Sequence, residues 1–217
     1  MEMTTGTTDK PVNDYQFTEG VKWYQSPFNS QFGRFTVTAF EFPDGKEHVA
    51  LSKGPIDVAE EPMVRIQSAC LTGTAFLAHL CDCRQQTHLA LERVQESEAG
   101  VVIYMAQEGR GHGLVEKIAQ LKLITSGMDT YDATVARGHK TDPRSYEQAA
   151  VMLRILVGDR PIRLLTNNPK KLDGLRNAGV KVVEDVRHET TPTATNYPYM
   201  RSKVDKMGHL MPSLTAP

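Results

Sequence analysis

The apolar residues of this chain change period partway along it, and that change restricts the fold more than any other feature. From Arg34, RFTVTAFEF alternates and is rich in Phe, Val and Thr, the mark of a half-buried strand. PDGKEH supplies a turn and HVALSK returns, which predicts an antiparallel hairpin. MVRIQSA reads as a third strand running directly into Cys70. Helix and strand periods then alternate. THLALERVQESEAG predicts a helix closed by Gly100, VVIYMA a short buried strand, and LVEKIAQLKLITSG an amphipathic helix ending at Gly127. PRSYEQAAVMLRILVG predicts a helix from Pro143 to Gly158, followed by strand PIRLLT, helix PKKLDGLRNAG and strand VKVVEDV. The expected class is α+β, with antiparallel β-hairpins followed by α/β alternation, in one domain over residues 34–211. Residues 1–33 read as a polar N-terminal arm, partly disordered, and residues 212–217 as a tail.

Composition excludes several functions. At 217 residues the chain can bury a substantial core. Its net charge of −1 gives no basic excess for nucleic acid. No apolar run is long enough to span a bilayer, and MEMTTGTTDK lacks the apolar core of a secretion signal. The expectation is a cytoplasmic protein with neither membrane nor nucleic acid as partner.

All three cysteines fall within CLTGTAFLAHLCDC, residues 70–83. An odd number argues against a disulfide framework. Cys70 ends a strand, and Cys81 and Cys83 converge if the backbone turns sharply. Thiolates are good zinc ligands, and three of them leave a fourth tetrahedral position open for water, as in catalytic sites. The same residues could equally be three small buried apolar side chains. His79 and His88 are candidate fourth ligands, although each reads more naturally as a surface or helix-face histidine.

The wider string carries a resemblance. RIQSACLTG, LCDCRQQ, YMAQEGRGHGL, DTYDA, TDPRSY, RLLTNNPKK and KMGHL occur in this order. Together they resemble the GTP cyclohydrolase II family, zinc enzymes that open the imidazole ring of GTP in riboflavin biosynthesis. The resemblance covers residues 34–211. It implies one zinc held by Cys70, Cys81 and Cys83. It implies substrate contacts from Arg65, Ile66, Gln67, Ser68 and Ala69, from Gln86, from Glu108, Gly109 and Arg110, and from Thr130, Thr166 and Lys171. It also implies an acid/base Asp142 and a catalytic Arg144 acting in pyrophosphate displacement, magnesium with the triphosphate, and a homodimer. The residue types suit these roles. A carboxylate and an amide, Glu108 and Gln86, can pair with the edge of guanine. Arg110, Arg144 and Lys171 can meet phosphates, and EGRGHGL offers a glycine-rich turn before a helix. Taken singly, each block has a plainer reading: a turn, a helix entrance or a solvated lysine pair.

The chain departs from the family pattern in places that should face substrate. Gln67 and Ala69 stand where the family has His and Glu, and Leu80 and Arg84 flank the second and third cysteines where it has Arg and Gly. Met105-Ala106 and Gly111-His112 also differ. Ala119, Leu121 and Thr134 stand where Arg, Tyr and Asn are usual, and the Tyr is the one implicated in catalysis. A phenol can orient water or donate to a developing oxyanion, and Leu121 can do neither. The expectation is ring opening that favours the formamidopyrimidine product in a specialised pathway. The alternatives are a cyclohydrolase-like enzyme for another nucleotide, such as a pyrimidine one, and a non-catalytic nucleotide-binding regulator.

Overall fold

The computed structural model describes residues 15–215. Its centre is one mixed eight-stranded sheet in the order β1-β2-β3-β4-β6-β5-β7-β8. The strands β1 (Gln16–Thr18), β2 (Val21–Ser30), β3 (Gly33–Glu41) and β4 (Glu47–Lys53) form an antiparallel meander. β6 (Gly100–Met105) joins β4 antiparallel. β5 (Met63–Ser68), β7 (Ile162–Leu165) and β8 (Val182–Val186) complete a parallel half. The expected sequence of hairpins followed by α/β alternation is therefore present, within a single sheet. Among the described residues, no helix is long and apolar enough to cross a membrane.

Four boundaries differ from expectation. The helix expected to close at Gly100 is α2 (Cys83–Glu96), which ends earlier, and Gly100 opens β6 instead. The part of the expected N-terminal arm from residue 16 on is sheet: β2 pairs with β3 from Lys22↔Glu41 to Ser30↔Gly33. Its sequence hides this, because Pro27 interrupts it and most of its side chains are exposed. Residues 1–14 lie outside the described residues. The helix expected from Pro143 begins at Glu147, giving α5 (Glu147–Val157), because the Asp142 carboxylate engages the Arg144 side chain and Pro143-Arg144 stay out of the helix. The expected tail contains a short helix, α8 (Pro212–Thr215), whose Leu214 is buried against Met200 and Met211.

Period-two alternation divides the core. Val64 and Ile66 of β5, with Val101, Ile103 and Met105 of β6, pack against α5 and Leu175 of α6 (Pro169–Asn177). Val102 faces the other way, onto Ala90, Leu91 and Val94 of α2 (Cys83–Glu96). Arg65 and Gln67 pair with Val102 and Tyr104 across the ladder, so they share this second face. Two large clusters of buried apolar groups thus clamp the sheet from both sides. From β5 the chain passes through α2 to β6 on one side, and later returns through α5 to β7 on the other. The carboxyl end of β5 is consequently a switch point, where open α/β sheets leave a crevice.

Candidate active site

The crevice is a single cavity built at the ends of β5, β6 and β7. Its thiol corner, which could hold a metal, comes from the turn after β5. Cys70 precedes the one-turn helix α1 (Leu71–Thr74), and Cys83 opens α2. The three Sγ atoms lie within 4.8 Å of one another, and Cys70 Sγ is 3.7 Å from Cys81 Sγ. Zinc–sulfur bonds of about 2.3 Å at tetrahedral angles separate sulfurs by about 3.8 Å, so the spacing fits zinc. Gly73 supports the same reading. A Cβ there would stand 2.7 Å from Cys81 Sγ and 2.9 Å from Cys70 Sγ, so the missing side chain leaves the thiols their space. The three thiols cannot all ionise unaided. Hydrogen bonds from Cys81 and Cys83 lower the pKa of Cys70, while the Cys70 bond raises those of Cys81 and Cys83. A cation is what would let all three be thiolates. His79 and His88 are not in this cluster.

Behind the metal corner sits a buried relay. Asp82, between two of the cysteines, is fully buried and accepts from Lys203 Nζ at 2.5 Å and from Gln86 Nε2 at 2.5 Å. Burial pushes its pKa up, but the Lys203 charge together with the hydrogen bonds from Lys203 and Gln86 outweighs burial and the net shift is down. Arg65 donates to Gln86 Oε1 at 2.5 Å, to Gln67 Oε1 and to the Leu165 carbonyl. Gln86 is thus held at both ends of its amide, yet keeps one N–H and one lone pair for a ligand.

Glu108 closes the cavity from the other side. Its carboxylate accepts from Leu71 N at 2.6 Å and from Lys117 Nζ at 2.7 Å. The turn Glu108–Gly111 needs left-handed backbone at Gly109 (φ 60) and Arg110 (φ 58), and a Cβ on Gly109 would crowd Lys117 Cβ at 3.1 Å. Arg110 donates to Thr130 Oγ1 at 3.2 Å, and its Nη1 is buried without a partner. Thr130 opens α4 (Thr130–Ala136), which Asp129 caps.

The third wall is cationic. Asp142 clamps Arg144 through both oxygens, at 2.7 and 2.6 Å, and Arg144 Nη1 reaches Ser68 Oγ at 3.1 Å. Burial works against the Arg144 charge, but the Asp142 hydrogen bonds and the charges around it, those of Asp142 and the Tyr146 and Tyr199 phenols, together outweigh it and its pKa rises. Lys171 is buried with Nζ 2.6 Å from the Ile66 carbonyl, and burial pushes its pKa well down. Thr166 lies alongside, accepting from Asn168 N. Among the described residues, Arg65, Arg110, Lys117, Arg144, Lys171 and Lys203 line the cavity against a single lining carboxylate, Glu108. That imbalance suits a polyanionic ligand.

Most residues singled out from the sequence therefore meet in one place: Arg65, Gln67, Ser68, Ala69, the three cysteines, Gln86, Glu108, Gly109, Arg110, Thr130, Arg144, Thr166 and Lys171 all line it. Two do not. Ile66 is turned into the core by strand alternation and offers only its carbonyl to Lys171. Asp142 stands behind Arg144. Leu121 also lines the cavity, on α3 (Leu114–Thr125), one helical turn beyond Lys117.

The structure adds residues that sequence reasoning missed. Lys117 bridges Glu108 and Cys70 Sγ, the latter at 3.1 Å. A clue was present: a lysine near a helix N-terminus opposes the helix dipole and calls for a local anion. Tyr199, Lys203 and His209 line the cavity from the C-terminal helix α7 (Tyr197–Met207) and the turn after it. Nothing local in NYPYMRSKVDKMGHL pointed there beyond the KMGHL block itself.

A sequence profile described as GTP cyclohydrolase II matches residues 22–187. The chain is 44% identical over 187 residues to GTP cyclohydrolase-2 of Haemophilus influenzae (strain PittGG), spanning 85% of this chain and 86% of that protein. It is 42% identical over 184 residues to GTP cyclohydrolase-2 of Pasteurella multocida (strain Pm70), spanning 84% of each. A riboflavin biosynthesis protein RibBA of Phocaeicola vulgatus is 42% identical over 183 residues, which are 84% of this chain but 45% of that longer protein.

Proposed function

The chain belongs to the GTP cyclohydrolase II family, and from that premise we propose that it is a zinc-dependent cyclohydrolase that opens the imidazole ring of GTP, releases pyrophosphate and favours the formamidopyrimidine product. The observation that carries the proposal is the joining, in one cavity, of a three-thiolate corner, a carboxylate–amide pair and a cationic wall.

Cys70, Cys81 and Cys83 would hold the zinc. When bound, zinc supplies Lewis acidity that brings the pKa of a water toward neutrality. The other roles belong to side chains. Glu108 and Gln86 lie on opposite sides of the metal corner, where they can read the donor edge of guanine and set its ring against the thiolates. Lys117 holds Glu108 in place. Arg110, Arg144 and Lys171 receive the triphosphate. Its negative charge would restore the positive charge that burial suppresses on Lys171 and would give the orphan Arg110 Nη1 a partner. Magnesium would share that charge. Asp142 keeps Arg144 firmly cationic, which favours Arg144 as the group that stabilises charge on the departing pyrophosphate.

Ring opening adds water across C8–N9: oxygen bonds to C8, the C8–N9 bond breaks, and a formamide remains on N7. Formate release needs a second water at the same carbon. Leu121 shares a helix face with Lys117, which touches Cys70, and lines the same cavity, so in this reading an aliphatic side chain would face the reacting carbon where a phenol would serve that second attack. The phenol that does line the cavity, Tyr199, has its ring 4.8 Å from Lys203 Nζ and 6.0 Å from the Arg110 guanidinium carbon. Exposed Leu114, Val115 and Ile118 on α3 support a homodimer.

The experiment is incubation of zinc-loaded protein with GTP, ATP, CTP and UTP, followed by chromatography. Selective, zinc-dependent consumption of GTP is expected. Consumption of a pyrimidine nucleotide instead would sink the proposal, as would retention of every nucleotide by fully loaded protein.

A further inference from the structure

The family profile ends at residue 187, yet one wall of the cavity comes from residues beyond it. Helix α7 is tied to each functional corner. Lys203 pairs with Asp82 in the metal loop, and Tyr199 lies under Arg110. Ser202 donates to Asp129, the cap of the helix that carries Thr130. The helix stops at Gly208, whose φ of 68 lets the chain reverse. The turn is pinned by His209 N to the Lys203 carbonyl at 3.1 Å and by Leu210 N to the Asn167 carbonyl at 2.9 Å.

This reversal puts the His209 imidazole into the cavity wall with Nδ1 buried and unpartnered. A buried polar atom without a partner is costly, and in a binding cavity it marks a place for a ligand atom. Its surroundings say which kind. Burial first, then the charges of Lys203, Arg144, Lys171 and Arg110, lower its pKa to about 3. The ring is therefore neutral at the point where Lys203, Arg144, Lys171 and Arg110 converge, and a neutral imidazole carries one N–H to donate.

We propose that His209 contacts the substrate, donating Nδ1–H to a phosphoryl oxygen of the nucleotide's polyphosphate, with α7 holding the ring in place. The proposal rests on the GTP reading above. It adds a neutral donor among the cations, one that supplies direction where they supply charge.

The test is calorimetric titration of zinc-loaded protein with guanosine and with a GTP analogue whose α–β bridge is methylene. His209→Leu is expected to weaken the analogue about ten- to hundredfold, the worth of one hydrogen bond to a charged group, and to leave guanosine unchanged. His209→Asn, which keeps an N–H near Nδ1, is expected to recover most of the loss. Equal weakening of guanosine and analogue would mean a merely structural role and overturn the proposal, as would wild-type affinity in His209→Leu. If His209→Leu does not fold, imidazole nitrogen resonances of the wild type decide, with His209→Asn identifying the signal. Nδ1 should shift when the analogue binds, and an unmoved resonance overturns the proposal. Wild-type protein that binds no analogue and consumes no GTP overturns the GTP reading itself. Normal binding and turnover with an unaffected His209→Leu overturns this inference alone.

Discussion

Gly73→Ala tests the metal corner with a single methyl group. The added Cβ would stand 2.7 Å from Cys81 Sγ, 2.9 Å from Cys70 Sγ and 3.3 Å from Cys83 Cβ. Ordinary contacts at this kind of atom pair are about 3.5–4.0 Å, so both sulfurs are too close by roughly 0.6–1 Å or more. Metal–ligand distances tolerate only about 0.2 Å. Without metal the thiols can swing away from the methyl group, and Gly73 has no positive φ to forbid alanine. Alanine even gains roughly 0.5–1 kcal/mol of helix propensity. Gathering the three sulfurs around zinc removes that escape. Overpacking of this kind costs about 1–3 kcal/mol, which is roughly five- to 150-fold in zinc affinity. Chelator-competition titrations of wild type and variant measure this, with melting of the metal-free proteins as the control. The metal-free variant should melt close to wild type while its zinc affinity falls. Wild-type zinc affinity in Gly73→Ala would refute the reasoning, because the sulfurs could not then be converging where Gly73 makes room.

Leu121→Tyr restores a phenol beside the thiolates and should shift product from formamidopyrimidine toward formate release, read as formate per GTP consumed; an unchanged ratio counts against the role given to residue 121. Lys203→Met strips Asp82 of its cation and should lower unfolding free energy by about 3–5 kcal/mol, the cost of breaking a buried pair, seen as a shifted urea midpoint. An unmoved midpoint would show that Asp82 does not depend on Lys203. His188 predicts a pH effect. Burial lowers its folded pKa to about 2, so below the unfolded value near 6.5 the unfolded chain takes up a proton that the native one refuses. Stability from this group is intact above pH 6.5 and falls as pH drops, by about 1.4 kcal/mol at pH 5.5. His188→Gln should abolish that share of the difference between urea unfolding at pH 7.5 and 5.5 in chelator; identical differences would contradict it.

The parts of this molecule that local chemistry dictates were legible in its sequence. Alternation in RFTVTAFEF and HVALSK located β3 and β4, and Gly127 and Gly158 marked helix ends. The spacing of Cys70, Cys81 and Cys83 foreshadowed a cluster because all three lie close together in the chain, in the segment from the end of β5 to the start of α2. β2 was hidden because its stability comes from pairing with β3 rather than from its own pattern, and Pro27 disguised it further. Ile66 shows the opposite limit. A run of site residues is interrupted by strand geometry that sends every second side chain to the other face. The places of Lys203 and His209 in the cavity were hidden for a third reason: Asp82 and the cationic wall are distant from them in sequence, and only the fold brings them together.

Carbon-13 NMR of GTP labelled at C8, followed with zinc-loaded protein and magnesium, reads whether water attacks one carbon of GTP in this cavity and whether Leu121 limits it to one round. The purine signal should be replaced by a formamide carbon still attached to the nucleotide. A label that stays in the purine, or that appears stoichiometrically as free formate, would contradict it.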